Sequence, residues 1–199
     1  MSIFIAMCFF SLSMSISPGP VNMTILSSGV NYGFRRSLPY VTGATFGFVL
    51  LLIAVGLGLS NLVAGVPLFY EILKYAGTAY MIYIGYKIMV SRPELVVKED
   101  RRPRYYQGIL MQWLNPKAWI ACLSGVAAFG LDDSRSMLFA FVGIYFFICY
   151  LSLAAWAGLG AQLKFLANVR NGIRYFNLTM GASLIAVAVY LLLSELENR

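Results

Sequence analysis

Four long runs without a charged residue most constrain what this chain can fold into. They cover residues 1–34, 37–70, 136–163 and 175–194. Each run is at least as long as the roughly 20 residues with which a helix crosses the hydrocarbon core of a bilayer. Hydrophobic residues make up 60% of the 199-residue chain and charged residues only 12%, a balance that excludes a soluble globular domain. Four membrane crossings are therefore predicted.

Two further apolar segments, about 71–90 and 107–130, carry Lys87 and Lys117. Lys87 lies near the end of its segment, from where its ammonium group can reach the headgroup region. Lys117 lies near the middle of its segment and needs a separate explanation. With these two segments, the predicted fold class is an all-α integral membrane protein with six transmembrane helices.

Positive charge is divided unevenly between the two sides that six spans define. The side with the connections between spans 1–2, 3–4 and 5–6 carries eleven cations and three acids, whereas the side with both termini carries three cations and five acids. Because cytoplasmic loops are enriched in Lys and Arg, both termini are predicted to be periplasmic. The net charge of +7 therefore reports topology and not nucleic-acid binding. The eleven cations are Arg35, Arg36, Lys87, Arg92, Lys98, Arg101, Arg102, Arg104, Lys164, Arg170 and Arg174.

Residue types that usually hold metals and cofactors are scarce in this chain. Histidine is absent, and the three cysteines, Cys8, Cys122 and Cys149, lie in three different apolar segments. Metal, haem and disulfide-exchange sites draw on these residue types at close spacing. We therefore expect no metal and no cofactor.

The first and fourth spans share a motif at the same spacing. Gly19-Pro20 is followed by Gly29, nine positions after the proline, and Asn115-Pro116 is followed by Gly125, again nine positions after the proline. A unit of three helices has an odd number of crossings, so a second copy enters the bilayer with opposite polarity. The motif thus favours two inverted three-helix repeats. The alternative is coincidence, since prolines and small residues are common in membrane helices.

The repeat also divides the chain. The prediction is a single transmembrane domain over residues 1–199, in which the first and fourth spans are broken at their proline motifs. Its parts are repeat 1 at about 1–91, a cytoplasmic loop at about 92–106 and repeat 2 at about 107–199.

The prolines give these motifs a chemical consequence. Proline has no N–H, and its ring pushes away the carbonyl four residues earlier, so Pro18, Pro20 and Pro116 should each release one carbonyl from its helical partner. A new half-helix then starts after each break, with its first N–H groups free. Helix starts attract carboxylates and free carbonyls attract ammonium groups, a combination that suits a zwitterion. The alternative is that the prolines only kink packed helices.

Lys117 directly follows the second break. An ionisable side chain at that depth is a candidate functional residue, because its burial in hydrocarbon is costly. Its ammonium group can neutralise a substrate carboxylate or exchange protons. The alternative is that the fourth span begins late and Lys117 reaches the cytoplasmic headgroups.

A set of residues around the two breaks forms the predicted binding site. No Asp or Glu lies deep in any predicted span, so a neutral cargo is favoured over a basic one. Neither a catalytic nor a metal-binding residue is expected. The predicted substrate-binding residues are Pro18, Gly19, Pro20, Asn22, Thr24, Gln112, Asn115, Pro116 and Lys117.

Four segments of the chain, taken together, resemble the motifs of a known protein family. Ser17-Pro18-Gly19-Pro20, Gly33-Phe34-Arg35-Arg36, Lys74-Tyr75-Ala76-Gly77-Thr78-Ala79-Tyr80 and Gln112-Trp113-Leu114-Asn115-Pro116-Lys117-Ala118-Trp119 resemble the lysine exporter (LysE/RhtB) family of amino-acid efflux proteins. The likeness spans nearly the whole chain. It implies six helices and outward transport of amino acids such as lysine, homoserine, threonine, leucine or cysteine derivatives, coupled to the proton gradient. Asn22 agrees with the family, whereas many members carry asparagine where this chain has Val21.

The leading hypothesis is a secondary transporter, and not an enzyme, that exports small neutral amino acids or their derivatives across a bacterial-type cytoplasmic (inner) membrane. One half would rock or gate against the other, with the proton gradient as the expected driving force. The expected partners are the amino-acid substrate and the lipid bilayer, with protons as candidate coupling ion and a homo-oligomer as candidate assembly. One alternative is a membrane redox or thiol carrier, which needs two cysteines able to meet. Another is a non-transporting membrane partner or small channel.

Overall fold

The computed structural model describes residues 3–59, 67–90, 103–131, 134–163, 165 and 171–196, and all regular structure in these residues is helical. The predicted all-α class is confirmed for this part of the chain. Of the predicted cytoplasmic loop, about 92–106, the described residues include only 103–106. The helices are α1 (Ile3–Ile16), α2 (Pro20–Tyr32), α3 (Phe34–Ala54) with a π-helical turn at Val55–Leu59, α4 (Pro67–Met89), α5 (Tyr105–Trp113), α6 (Pro116–Phe129), α7 (Arg135–Gln162) and α8 (Gly172–Leu196).

Both predicted helix breaks are present. Between α1 and α2 the chain bends by 60°. Pro20 and Pro116 are the first residues of α2 and α6, a position where the missing N–H removes no helical hydrogen bond. Each proline therefore ends one short helix and starts the next.

Among the described residues, fewer helices are long and apolar enough to cross a membrane than the six predicted. In the described part of the chain, Phe34–Leu59 and Arg135–Gln162 are long and apolar enough to cross a bilayer, and the bent pair α1 and α2 adds a third crossing if it forms one span. The six-span arrangement stays a prediction.

Helix α7 lies at the centre of the packing and contacts α1, α2 and α3. Phe48 of α3 and Tyr145 of α7 stack with 4.3 Å between their ring centroids. On the outer side of α7, Phe147 and Leu151 are each 67% exposed. Large apolar side chains at the surface suit a helix surrounded by lipid. The remaining close pairs are α3 with α5 and α4 with α8.

Glycines bring α3 and α5 into close contact. Gly43 and Gly47 are four residues apart, a spacing typical of close packing between membrane helices. A Cβ atom at Gly43 would overlap the carbonyl of Tyr105, and one at Gly47 would lie 2.7 Å from the Cα of Ile109. From the other side, a Cβ at Gly108 would lie 2.6 Å from the amide nitrogen of Ala44. The backbones touch directly, so no larger side chain fits between them.

We expect Gly43→Leu to separate α3 from α5 and to destabilise the protein by at least about 1–3 kcal/mol, the usual cost of overpacking. The thermal unfolding midpoint of the purified protein in detergent should fall. Gly143→Leu is the matched control, because a Cβ there meets no atom within 4 Å. Equal midpoints for the two variants would contradict the close contact.

Candidate functional site

The two breaks meet through the side chain of Lys117. Its ammonium nitrogen donates hydrogen bonds to the carbonyl of Ser17 at 2.6 Å and to the Ser17 hydroxyl at 2.8 Å. A third, longer bond of 3.3 Å goes to the carbonyl of Pro18. Lys117 is the second residue of α6, so its side chain crosses from the second break to the first. The Lys117 ammonium is therefore bound inside the protein at the first break.

Gly19 leaves space for this crossing. A Cβ atom at position 19 would lie 3.0 Å from Cδ and 3.2 Å from Nζ of Lys117. The Gly19 backbone is extended, with φ −169°, a conformation that any residue adopts. Glycine therefore gives the lysine side chain room here, and a Cβ atom would require it to shift by a few tenths of an ångström.

The carbonyls released at the first break all have hydrogen-bond donors. Met14 O accepts from the Ser17 hydroxyl at 3.2 Å. Ile16 O accepts from the indole N–H of Trp156, which reaches across from α7, at 3.1 Å. The expectation of free carbonyls here was wrong, because side chains replace the helical donors that the prolines remove. Lys117 is the only charged donor at this break among the described residues.

At the second break, too, a tryptophan indole N–H binds a backbone carbonyl. Trp119 Nε1 donates to the carbonyl of Trp113 at 2.8 Å. Gln112 O, which Pro116 releases, accepts from the backbone N–H of Asn115 at 3.3 Å. Both breaks are thus closed by an indole N–H and by local hydrogen bonds.

The two helix starts differ in their caps. Asn115 caps α6, since its side-chain oxygen accepts from the N–H of Lys117 at 3.2 Å. Gly19 precedes α2 and has no side chain to offer, so no side chain caps this start. The first N–H groups of α2, those of Val21 and Asn22, therefore remain available to an anion.

A partly open cavity lies between the breaks. Its described lining contains no Asp or Glu, and Lys117 is the only charged residue in it. Asn22 closes one edge by donating to the carbonyl of Ser15 at 2.9 Å, across the break from α2 to α1. The lining residues are Met14, Ser15, Val21, Asn22, Phe48, Gln112, Asn115, Lys117, Ala118, Ala121, Tyr145, Cys149 and Leu153.

The structure brings part of the predicted site together. Asn22, Gln112, Asn115 and Lys117 line the cavity. Thr24 does not line it, and its hydroxyl donates to the carbonyl of Pro20 at 2.9 Å. The remaining predicted residues form the backbone of the two breaks and are absent from the described lining: Pro18, Gly19, Pro20 and Pro116.

Several lining residues escaped the analysis of the sequence. Phe48 comes from α3, and Tyr145 and Cys149 come from α7, one helical turn apart on the same face. These helices have no break and no charge near the cavity, so only their packing brings them to the site. The serines at 11 and 15, also one turn apart, are a polar stripe that could have indicated Ser15.

Comparisons with known proteins find a family model and several relatives. The family model described as LysE type translocator matches residues 12–195. The chain is 26% identical over 189 residues to a cysteine/O-acetylserine efflux protein of Escherichia coli O139:H28 (strain E24377A / ETEC), an overlap of 90% of this chain and 92% of the relative. Proteins of the same name from Escherichia coli (strain K12) and Shigella flexneri serotype 5b (strain 8401) are each 25% identical over 150 residues, covering 71% of this chain and 76% of the relative. No solved structure matches the chain.

Proposed function

The chain belongs to the LysE type translocator family, and from this membership we propose that it exports small, uncharged amino acids across the cytoplasmic membrane. Members of this family are transporters and not enzymes, and the relatives are named as efflux proteins. Cysteine and O-acetylserine, the compounds in the relatives' name, carry no net side-chain charge near neutral pH. The proposed cargo for this chain is of the same chemical class.

The proposed architecture is six membrane spans in two inverted repeats. The broken pairs α1–α2 and α5–α6 each form one span, and α3, α4, α7 and α8 form the other four. Similar features of the two breaks support this pairing: a proline begins each second half-helix, and an indole N–H binds a backbone carbonyl at each break. With the excess of Lys and Arg on one side, both termini face the periplasm.

The hydrogen bonds of Lys117 carry the proposal. Its ammonium group binds the carbonyls of Ser17 and Pro18, so these oxygens form a site for an ammonium group. When a zwitterion enters, its own ammonium takes these oxygens and its carboxylate pairs with Lys117 and with the uncapped N–H groups at the start of α2. Lys117 thus exchanges a carbonyl partner for a carboxylate partner, and the substrate's two charges are both satisfied.

The charges of the cavity set the class of side chain. A cationic side chain would meet Lys117 and, within the described lining, no anion. Burying an unpaired charge is costly, so lysine and arginine are disfavoured. An anionic side chain would compete with the substrate's own carboxylate for the single ammonium group. Small neutral side chains remain, in keeping with Ala118 and Ala121 in the lining.

Transport then requires one half of the molecule to rock against the other around the breaks, with the proton gradient as driving force. The direct test is efflux from proteoliposomes loaded with single amino acids. Saturable movement of a neutral amino acid against its own gradient, driven by an imposed proton gradient, is the expected result. If no amino acid moves, the chain is a non-transporting partner or channel and the proposal fails.

We expect Pro20→Ala to lower this efflux about tenfold, the scale on which misplacing binding groups by about 1 Å reduces rates. Alanine removes the ring that fixes φ at the start of α2 and adds an N–H at the break, so the oxygens that hold Lys117 can move. The control is Pro39→Ala inside α3, where the proline is exposed and outside the cavity lining. Wild-type efflux by Pro20→Ala would mean that the break has no part in transport.

A further inference from the structure

Apart from Lys117 and three amide side chains, the described cavity lining consists of apolar side chains and one small polar group of residues. Ser15 of α1, and Tyr145 and Cys149 of α7, bring two hydroxyls and a thiol among side chains such as Phe48 and Leu153. The Ser15 hydroxyl has the Tyr145 hydroxyl and the Cys149 thiol as neighbours. A polar spot in an apolar wall can distinguish substrates by a single hydrogen-bonding atom.

Ser15 is unusual because its buried hydroxyl makes no hydrogen bond of normal geometry, although the Tyr145 hydroxyl and the Cys149 thiol lie close enough to interact with it. The residue is 7% exposed, and among the described residues only Ser15 and Tyr40 have a buried side-chain oxygen without such a bond. Tyr40 is absent from the described cavity lining. Ser11, one turn earlier on α1, shows the ordinary arrangement, since its hydroxyl donates to the carbonyl of Met7 at 2.7 Å. A buried polar group without a good hydrogen bond is costly, which calls for an explanation at Ser15.

The position of Ser15 is fixed relative to the proposed carboxylate site. Its carbonyl accepts a 2.9 Å hydrogen bond from the side chain of Asn22, the third residue of α2. Asn22 also contributes one of the uncapped N–H groups. Ser15, Val21 and Asn22 also line the same cavity, so an amino acid with its carboxylate at the start of α2 can bring a short side chain towards Ser15.

We propose that Ser15 selects the substrate's side chain: its hydroxyl exchanges a hydrogen bond with a hydroxyl or thiol on the β-carbon of the transported amino acid. This inference rests on the proposed function and adds the residue that reads the side chain. A hydroxyl is both donor and acceptor, so it serves either group. Analogues that lack the heteroatom leave the Ser15 hydroxyl unpaired, so serine is preferred over alanine, and cysteine over 2-aminobutyrate.

The test compares serine and alanine efflux in proteoliposomes. Wild-type protein is expected to prefer serine, and Ser15→Ala to lower the serine-to-alanine ratio about fivefold, the usual worth of one hydrogen bond. Ser15→Cys, a weaker donor, should give an intermediate ratio. Ser11→Ala is the matched control, because that hydroxyl is already used by Met7 and lies outside the described lining, so the ratio should stay at the wild-type value.

Binding supplies a second readout that does not depend on transport. Saturating serine should raise the thermal unfolding midpoint of the wild-type protein more than alanine does, and Ser15→Ala should remove this difference. An unchanged serine preference in Ser15→Ala, by both readouts, would overturn the role of Ser15 and leave the proposed function standing. Wild-type protein that neither exports nor binds serine or alanine would overturn both.

Discussion

Lys117→Met should lower amino-acid efflux at least about thirtyfold at low substrate concentration. Removing one partner of a buried charge pair costs about 2–5 kcal/mol, and the lower figure already corresponds to this factor. Methionine keeps much of the length and apolar character of the lysine stem but cannot pair with a carboxylate. In the unliganded protein, Ser17 and Pro18 would lose the donor that binds their carbonyls.

Lys87→Met is the control for loss of a lysine from a membrane helix. The Lys87 ammonium lies 5.3 Å from the centre of the Tyr83 ring, and the residue is exposed and outside the cavity lining. Its replacement should leave efflux near the wild-type rate. Normal efflux by Lys117→Met, with expression and detergent elution profile equal to wild type, would contradict a role of Lys117 in binding the carboxylate.

Ala121→Leu should nearly abolish efflux of serine and cysteine. Ala121 is 3% exposed, and its side chain lines the cavity. A single methylene in an apolar pocket changes specificity by about 10–200-fold, and leucine adds three carbon atoms to alanine. The loss should be at least tenfold and smallest for glycine, which has no side chain to be displaced.

Ala128→Leu tests whether the added volume matters only inside the cavity. Ala128 lies on the same helix, α6, and is exposed, so leucine there meets the surroundings of the protein instead of the substrate. Its efflux should match the wild type. Equal efflux by Ala121→Leu and wild type, for serine and for glycine alike, would mean that the substrate does not pass through this cavity.

The helix breaks were predictable because proline acts locally. The missing N–H and the ring of Pro20 and Pro116 disrupt any helix that contains them, whatever surrounds it. The cap at Asn115 and the lack of one at Gly19 are also local, since they follow from the side chain that directly precedes each proline. The sequence is therefore sufficient to predict where each second half-helix begins and whether a side chain caps that start.

The closing of the first break was not predictable, because it depends on distant residues. Trp156 donates to Ile16 O across 140 positions, and Lys117 reaches Ser17 across 100. An isolated break leaves free carbonyls, and only the packing of α6 and α7 against α1 shows which donors fill them. The same applies to Phe48, which reaches the cavity because α3 packs against α7.

The surroundings of Thr24 and Ser15 could not be predicted either, for a related reason. Thr24 is one turn beyond the first break and polar, which made it a candidate, yet its hydroxyl is used by the carbonyl of Pro20. In the sequence alone, nothing distinguishes Ser15 from the other serines of the first predicted span. The Ser15 hydroxyl makes no hydrogen bond of normal geometry. This property depends on how the neighbouring helices pack around Ser15, so the sequence alone does not show it.

Protection of Cys149 from a small thiol reagent tests most directly whether an amino acid binds in the cavity between the breaks. Cys149 lines this cavity, whereas Cys8 is exposed on α1 and is a control within the same molecule. We expect saturating serine to slow the reaction of Cys149 with methyl methanethiosulfonate, in which the thiolate forms a methyl disulfide and methanesulfinate leaves, as read by mass spectrometry. The rate at Cys8 should be unchanged, and lysine should give little protection. Equal Cys149 rates with and without an amino acid that the protein demonstrably exports would contradict binding at this site.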